Sequence, residues 1–330
     1  MRSLTIVIPA GQNNISSVVG PYKFFTMANR HYIKKGHEQV FDVKLAGVQD
    51  QEIVHDGLFS IKPHLHFHEI SKTDLIIIPA SSMEKIQHIV KENQDLVAWI
   101  GNQYRMGSEV ASLCTGAFLL ASTGLLNGKI CSTHWNAGHL FRQQYPEVIL
   151  QTDKLITDEQ GIYTNGGAYS FLNLMLYLVE KFYDRETALV CAKVFQVDIE
   201  RSSQSPFTIF NGQKDHSDEV IRNAQLYIEQ NILRKFSMEE LATQFALSRR
   251  NFDRRFIQAT GNTPLEYQQR VRIEQAKKML ESGRNTVSDV MYETGYTDQK
   301  AFRAVFKKIT GLTPADYRSK FSKDAEVLTD

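Results

Sequence analysis

Short apolar runs alternate with amphipathic helical patterns over the N-terminal part of the chain. The run Leu75-Ile76-Ile77-Ile78 is apolar at every position, which indicates a parallel strand covered by helices on both faces. Runs of this kind predict strands over residues 4–9, 41–48, 75–79, 110–114 and 129–133, and helical spacing predicts helices over 22–35 and 115–126. The pattern therefore predicts an α/β unit with an open, mostly parallel sheet and helices on both faces. Ligands of such sheets bind beyond the carboxyl ends of the strands.

The chain changes character twice further on. Residues 168–179 are almost entirely apolar and predict a helix packed in the core. Residues 200–216 are polar, contain Pro and Gly and lack helical periodicity, and a new helical pattern follows over 219–230. We therefore expect an α/β domain over 1–199, a linker over 200–216, an all-α domain over 217–320 and a flexible tail over 321–330.

The C-terminal part contains one pattern twice, with the copies about fifty residues apart. Residues with large apolar rings, a Gly-x-Thr-Pro turn and a closing tyrosine recur in the same order. The first set is Phe252, Phe256, Thr260, Gly261, Thr263, Pro264 and Tyr267, and the second is Phe302, Phe306, Thr310, Gly311, Thr313, Pro314 and Tyr317. Such a repeat predicts two copies of one supersecondary unit.

Each copy has the pattern of helix, tight turn and second helix. Ser237 with Glu240 predicts a capping box at the first helix, and Ser248 restarts the chain as a second helix that buries Phe252 and Phe256 at i and i+4. Residues on the opposite face carry Arg, Asn, Gln or Lys side chains, which suit base edges and phosphates in the major groove. The expected DNA-contact residues are Ser248, Arg249, Arg250, Asn251 and Arg254 in the first copy and Thr297, Gln299, Lys300 and Arg303 in the second.

One such copy alone is equally typical of an amphipathic helix with an ordinary solvated basic face. Two copies with matching tails favour DNA binding, and the charge agrees. Residues 217–320 hold 18 Lys and Arg against 13 Asp and Glu, a net charge of +5, whereas residues 1–216 have a net charge of −2. Residues 217 to 320 resemble the AraC/XylS family of bacterial transcription regulators. The resemblance implies promoter DNA as partner, and RNA polymerase if the protein is an activator.

Composition limits the remaining classes. The 330 residues are 42% hydrophobic and 23% charged, as in soluble globular proteins, and no apolar run suggests a signal peptide or a membrane partner. We therefore expect a cytoplasmic protein. The three cysteines, Cys114, Cys131 and Cys191, lack metal-ligand spacing, so neither a disulfide framework, a metal site nor another cofactor is expected.

A chemically suggestive segment lies at Cys114, where a β-rich run stops and a helix begins. A thiol at a helix N-terminus is expected to have a lowered pKa, and the strand-turn-helix context parallels a nucleophile elbow. His134 follows the next predicted strand and is a candidate to approach the sulfur. The alternative is structural, because an isolated Cys and His at this spacing more often pack as ordinary core residues.

Residues 1–195 resemble the ThiJ/PfpI superfamily, particularly the GlxA-like branch joined to AraC-type domains, a class I glutamine amidotransferase-like, flavodoxin-like fold. The resemblance rests on the strand at 75–81, the elbow, the segment 133–135 and the stretch 163–167. It implies a homodimer and a small-molecule site at Cys114, Thr115, Gly116, His134 and Trp135. Family enzymes add an acid on the first helix, where this chain is expected to have Lys23. Cys114, His134 and Lys23 are thus predicted to form a relic site rather than a catalytic one.

Three histidines, His64, His66 and His68, alternate and would share one face of a strand. A metal site is one interpretation. Imidazoles in water on an exposed edge or loop are the other, and the one favoured by the lack of a readable acidic or Cys partner.

The sequence therefore predicts a DNA-binding transcription regulator whose α/β domain senses a small-molecule effector. The alternative is a cysteine-dependent hydrolase or glyoxalase joined to a DNA-binding domain. A redox or scaffold protein without sequence preference on DNA is a third possibility.

Overall fold

A computed structural model describes residues 1–199, 201 and 203–322. The chain divides into two compact units, Met1–Gln204 and Ser205–Asp330. Most of the expected tail, residues 323–330, and positions 200 and 202 of the expected linker lie outside the described residues.

The first unit is built on an open sheet. Its seven strands run in the order β10-β11-β7-β6-β1-β2-β5, and every neighbouring pair is parallel except β10 with β11. This order confirms the predicted open, mostly parallel sheet. The strands are β1 Arg2–Ile8, β2 Phe41–Gly47, β3 Glu52–Val54, β4 Phe59–Ile61, β5 Leu65–His66, β6 Leu75–Ile78, β7 Glu109–Leu113, β8 Ile130–Cys131, β9 Ile149–Leu150, β10 Ile156–Glu159 and β11 Ile162–Asn165.

Helices cover both faces of this sheet, as the fully apolar strand β6 predicts. Leu75 and Ile77 pack with one group of helices, α1, α6 and α7, whereas Ile76 and Ile78 pack with the other, α2 to α5. The side chains alternate between the two cores because successive residues of a strand point to opposite faces. The helices are α1 Ile15–Lys34, α2 Ile86–Glu92, α3 Gln94–Arg105, α4 Ala117–Ser122, α5 Gly138–Gln144, α6 Phe171–Phe182 and α7 Arg185–Phe195.

Three predicted elements differ clearly from the structure. The helix expected over 115–126 is shortened to α4, Ala117–Ser122. The strand expected over 129–133 shrinks to β8, which pairs with β9 outside the main sheet. It ends because Ser132 bonds elsewhere: its N–H donates to Thr164 Oγ1 at 2.7 Å and its hydroxyl donates to the Lys154 carbonyl at 2.6 Å. Helix α1 begins seven residues before its predicted start, because the Asn14 side chain caps it and the helix continues through Pro21.

The second unit is helical and contains the repeat. Its helices are α8 Glu219–Gln230, α9 Met238–Gln244, α10 Arg249–Thr260, α11 Pro264–Glu281, α12 Val287–Glu293, α13 Gln299–Thr310 and α14 Pro314–Phe321. Helices α9 and α10 form the first helix-turn-helix and α12 and α13 the second, which confirms the predicted pair. The capping box of Ser237 with Glu240 is present, and the Ser248 hydroxyl accepts the Asn251 N–H at the start of α10.

The expected linker is ordered where it enters the second unit. Lys277, buried on α11, donates its ammonium to the Thr208 carbonyl, and Glu274 Oε2 accepts the Phe210 N–H at 3.1 Å. Gln225 Nε2 donates to the Gln213 carbonyl at 2.9 Å. Side chains of α8 and α11 thus satisfy backbone groups of Thr208, Phe210 and Gln213, which belong to no helix or strand.

Candidate effector cleft and DNA-contact surface

Cys114 occupies a sharp turn between β7 and the helical segment that follows. Its φ of +54° lies in the left-handed region, which is uncommon for residues other than glycine. Two bonds hold it there: its N–H donates to Asn165 Oδ1 at 3.1 Å, and its carbonyl accepts the Thr133 hydroxyl at 2.8 Å. The predicted elbow is therefore present, and buried polar partners fix its backbone.

The next two residues press the elbow against the loop after β6. A Cβ on Gly116 would lie 2.7 Å from the carbonyl oxygens of both Ile78 and Pro79, so only glycine fits there. The Thr115 hydroxyl donates to the Ser81 carbonyl at 2.7 Å and accepts the Ser81 N–H at 2.9 Å. These contacts make the turn rigid.

A cleft of about 590 Å³ opens beyond the carboxyl ends of β1, β6 and β7, where the sheet type predicts a ligand. Cys114, Thr115 and His134 line it, so the structure brings these three predicted residues together. The other lining residues come from loops and helix starts: Gln12, Asn13, Asn14, Ile15, Ser16, His55, Ala80, Ser81, Ser82, Met83, Asn136 and Tyr169.

Gly116 and Trp135, two residues predicted to bind the ligand, do not line the cleft. Gly116 packs behind the elbow, as above, and Trp135 stands beside His134 with ring centroids 5.2 Å apart but does not line the cleft. The backbone N–H of Trp135 donates to Oε1 of the buried Gln204 at 3.3 Å. Asn136 rather than Trp135 faces the cleft from this turn.

The predicted lowering of the Cys114 pKa is wrong. Burial raises the pKa of the thiol to about 11, and the hydrogen bond from the Thr115 N–H offsets this only in part. Cys114 is only 6% exposed, so the loss of hydration of a thiolate outweighs the field of the short helix. At neutral pH the sulfur is therefore a protonated thiol.

His134 is a neutral imidazole in the wall of the cleft. Burial lowers its pKa, and its Nδ1 accepts the Asn136 N–H at 3.2 Å, which places any proton on Nε2. No described carboxylate faces it in the cleft lining.

Lys23 does not occupy the position predicted for it. Its side chain is exposed on α1 and lies outside the lining of the cleft. The first turn of α1 carries no acid, and its buried Ser17 hydroxyl donates to the Asn14 carbonyl at 2.7 Å and accepts the Ala80 N–H at 3.0 Å. A hydroxyl, not a lysine or a carboxylate, therefore meets the loop that holds the elbow. Because Gly20 and Pro21 are typical of a helix start, the sequence predicted that α1 begins after them, and Lys23 was therefore expected near that start.

The three alternating histidines mainly support the backbone. His64 Nδ1 accepts the Leu45 N–H at 2.9 Å, and His66 Nε2 lies 2.8 Å from the Val48 carbonyl. Within the described ranges, His, Cys, Asp and Glu side chains do not gather in threes with metal-binding geometry. Two of the three imidazoles thus bond to the chain rather than to water alone.

The exposed face of α10 carries Arg250 and Arg254, opposite the fully buried Phe252 and Phe256. Arg254 Nη2 donates to Asn251 Oδ1 at 3.0 Å, which holds the guanidinium over the outer face. Both guanidinium groups are exposed, and their contact with DNA stays a prediction.

Arg249 differs from its two neighbours because acids already hold it. Its Nε lies 2.8 Å from Asp253 and its Nη1 2.8 Å from Glu239. Arg255, which follows Arg254 on α10, is also held by an acid: its guanidinium makes two bonds, of 2.8 and 2.6 Å, to Asp218, the N-cap of α8. The partner lies 37 residues away, so the helical pattern alone could not reveal it.

Helix α13 presents the second exposed face. Phe302 and Phe306 are fully buried, and the side chains expected to meet DNA are exposed. They are Thr297, Gln299, Lys300 and Arg303.

Two protein families match separate parts of the chain. Residues 18–181 match the DJ-1/PfpI family, and residues 241–320 match the family described as helix-turn-helix domain. The chain joins a DJ-1/PfpI domain to an AraC-type helix-turn-helix domain. Both resemblances expected from the sequence are thereby confirmed.

The relatives of this two-domain chain are similar over most of its length. The HTH-type transcriptional regulator GbdR of Pseudomonas aeruginosa is 24% identical over 223 residues, 67% of this chain and 60% of GbdR, so the chain spans less than two thirds of that relative. The HTH-type transcriptional regulator GlxA of Rhizobium meliloti is 23% identical over 220 residues, 66% of this chain and 67% of GlxA.

A solved structure supports the fold of the DJ-1/PfpI domain. Drosophila melanogaster DJ-1beta superposes with a TM-score of 0.50 at 16% identity, over 60% of this chain and 98% of DJ-1beta. Among the described residues, every helix is too short or too polar to cross a bilayer.

Proposed function

We propose that this chain is a sequence-specific DNA-binding transcription regulator that senses a small molecule in its DJ-1/PfpI domain. The observation that carries the proposal is the repeated helix-turn-helix, in which each second helix exposes cationic and amide side chains opposite a buried pair of phenylalanines. Relatives named as transcriptional regulators support it. A protein that reads promoters acts where the chromosome is, in the cytoplasm of a bacterium.

The chemistry of the cleft favours a sensor over an enzyme. A nucleophilic cysteine must be a thiolate, and the burial of Cys114 keeps it protonated. The neutral His134 faces no acid of the lining that would orient it as a base, and the residues that the start of α1 contributes to the lining, Asn14, Ile15 and Ser16, include no acid either. The elbow then serves as the floor of a binding pocket.

The lining of the cleft indicates the class of effector. It supplies amides, hydroxyls and two imidazoles but no Lys, Arg, Asp or Glu among the described lining residues. A ligand with net charge would lose hydration without gaining an opposite charge, which is costly. We therefore infer a small polar effector without net charge, neutral or zwitterionic, with Tyr169 at the mouth offering a ring face.

Two copies of the chain, paired through the first unit, would present two pairs of recognition helices to one promoter. The homodimer is carried over from the resemblance to the ThiJ/PfpI superfamily. RNA polymerase is a further partner if the protein is an activator.

Two measurements on the full-length chain test the proposal. Selection from a random duplex library should enrich one sequence, and an enzyme without regulatory function would enrich none. Native mass spectrometry of the protein purified from its host should show a retained small molecule that is absent from a Thr115→Trp variant, because the indole fills the cleft. Turnover of reactive aldehydes, amides or peptides that disappears in Cys114→Ser would instead support the hydrolase or glyoxalase alternative.

A further inference from the structure

Arg272 lies in the middle of α11, the helix that connects the two helix-turn-helix units. Its Nε donates to the Ile232 carbonyl at 3.0 Å, and its Nη2 donates to the Arg234 carbonyl at 3.3 Å. Both carbonyls belong to the loop between α8 and α9, which leads into the first helix-turn-helix. One guanidinium thus connects two backbone carbonyls of this loop to the connecting helix by hydrogen bonds.

The same guanidinium also contacts the turn of the second helix-turn-helix. It lies 5.6 Å from the ring centroid of Tyr296, which follows Gly295 in the turn between α12 and α13. Gly295 has φ +79°, and a Cβ on it would lie 2.8 Å from the Ile232 carbonyl and 3.2 Å from Arg272. The backbone of the second helix-turn-helix therefore approaches the loop that precedes the first helix-turn-helix, and Arg272 contacts both.

The hydrophobic cores divide at this position. Val271 packs with the core of the first helix-turn-helix, which contains Phe252 and Phe256. Ile273 belongs to the core of the second helix-turn-helix, which contains Phe302. Each unit thus has a core of its own, and the angle between them depends on α11 and on what bridges them beside it. Arg272 stands between the two core residues and makes such a bridge.

We propose that Arg272 is a positioning residue that locks the two helix-turn-helix units together and so fixes the spacing between DNA elements that the chain accepts. The proposal rests on the proposed DNA-binding function. Only a planar guanidinium reaches two carbonyls with its edge while an aromatic ring contacts it, so lysine cannot replace it. Arg272 acts through α10 and α13 rather than through a contact of its own with DNA.

Distances between spin labels on the full-length protein test the lock without DNA. Gln258→Cys on α10 and Lys307→Cys on α13 provide exposed attachment points, and the native cysteines are buried. We expect one narrow distance distribution for the otherwise wild-type chain and for Tyr296→Phe, which keeps the ring. Arg272→Gln and Arg272→Lys should broaden it by about twofold or more, since two independent cores leave the angle free. An unchanged width in both Arg272 variants overturns the proposal.

A DNA measurement adds a readout that a merely structural residue would not change. The probe is the duplex selected by the wild-type chain, together with duplexes whose two elements lie one base pair closer or further apart. One base pair rotates the second element by about a tenth of a turn, so the wild type should lose roughly tenfold in affinity. Arg272→Gln should lose less than about threefold between spacings.

The outcomes separate the two proposals. Loss of affinity by Arg272→Gln to the same extent at every spacing, or retention of the wild-type spacing penalty, contradicts the positioning role. A wild-type chain that selects no sequence contradicts the proposed function, and in that case the lock stands or falls on the label distances alone.

Discussion

The Thr133 hydroxyl donates to the Cys114 carbonyl at 2.8 Å, and both residues are almost fully buried. The bond ties the elbow to the segment that carries His134, so one wall of the cleft fixes the other. Replacing Thr133 with valine keeps the shape but leaves a buried carbonyl without its partner, which typically costs about 1–3 kcal/mol of unfolding free energy.

Denaturant unfolding of Thr133→Val measures this cost. Thr26→Val is the matched control, because the Thr26 hydroxyl donates to a carbonyl of its own helix in a partly buried position. We expect a clearly smaller loss for the control. Equal stability of Thr133→Val and wild type would show that the bond does not hold the elbow.

The raised pKa of Cys114 predicts slow alkylation. With a pKa of about 11 the thiol stays protonated through pH 8, so iodoacetamide should modify Cys114 far more slowly than free cysteine, and the rate should keep rising toward pH 11. Peptide mapping by mass spectrometry separates Cys114 from Cys131, whose pKa burial raises to about 12, and from Cys191. Fast modification of Cys114 at pH 7 would reveal a thiolate and favour the enzyme.

The ion pair between Arg255 and Asp218 predicts that the helical unit that contains both residues loses stability in acid. The Arg255 guanidinium holds the pKa of Asp218 below its ordinary value of 3.8. A carboxyl whose pKa is lower in the folded state contributes stability that is present above the unfolded pKa and lost as pH falls through the folded pKa. The stability difference between wild type and Asp218→Asn should therefore be constant from pH 7 to about 5 and shrink below about pH 4. A difference that does not change with pH would mean that the ion pair contributes nothing.

Arg249 and Arg254, two arginines of α10, should respond differently to substitution. Arg254→Ala is expected to cost about 1–3 kcal/mol of binding and to relax specificity at one base pair, because this guanidinium is exposed beside Asn251. Arg249→Ala should cost less and uniformly, since Glu239 and Asp253 already hold that side chain. Fluorescence anisotropy at fixed salt measures both, with Arg30→Ala on α1 as the charge-matched control. An Arg249 effect larger than that of Arg254 would reverse the assignment.

Local signals predicted most of the fold. Helix α8 has the predicted bounds, Glu219–Gln230, because an N-cap and an amphipathic pattern mark it without help from the rest of the chain. Strand β6 was recognisable from four consecutive apolar residues. The start of α1 was not, since Pro21 normally marks the first turn of a helix and here lies within it.

The candidate site was less accessible from sequence. Cys114 ends a predicted strand, and Thr115 and His134 directly follow predicted strands, but Asn13, His55 and Ser82 come from loops that only the sheet order brings together. Burial decides the state of the thiol, and it depends on every neighbour rather than on the elbow pattern.

The most direct test of the regulator concerns the two helix-turn-helix units together. If α10 and α13 read successive major grooves on one face, the duplex selected by the full-length chain contains two elements about 10 base pairs apart. Inserting five base pairs between them turns one element to the opposite face of the duplex. We predict that tight binding is lost while binding to non-specific DNA is unchanged. Tight binding that survives the insertion would contradict the account, because it would show that a single unit reads the DNA.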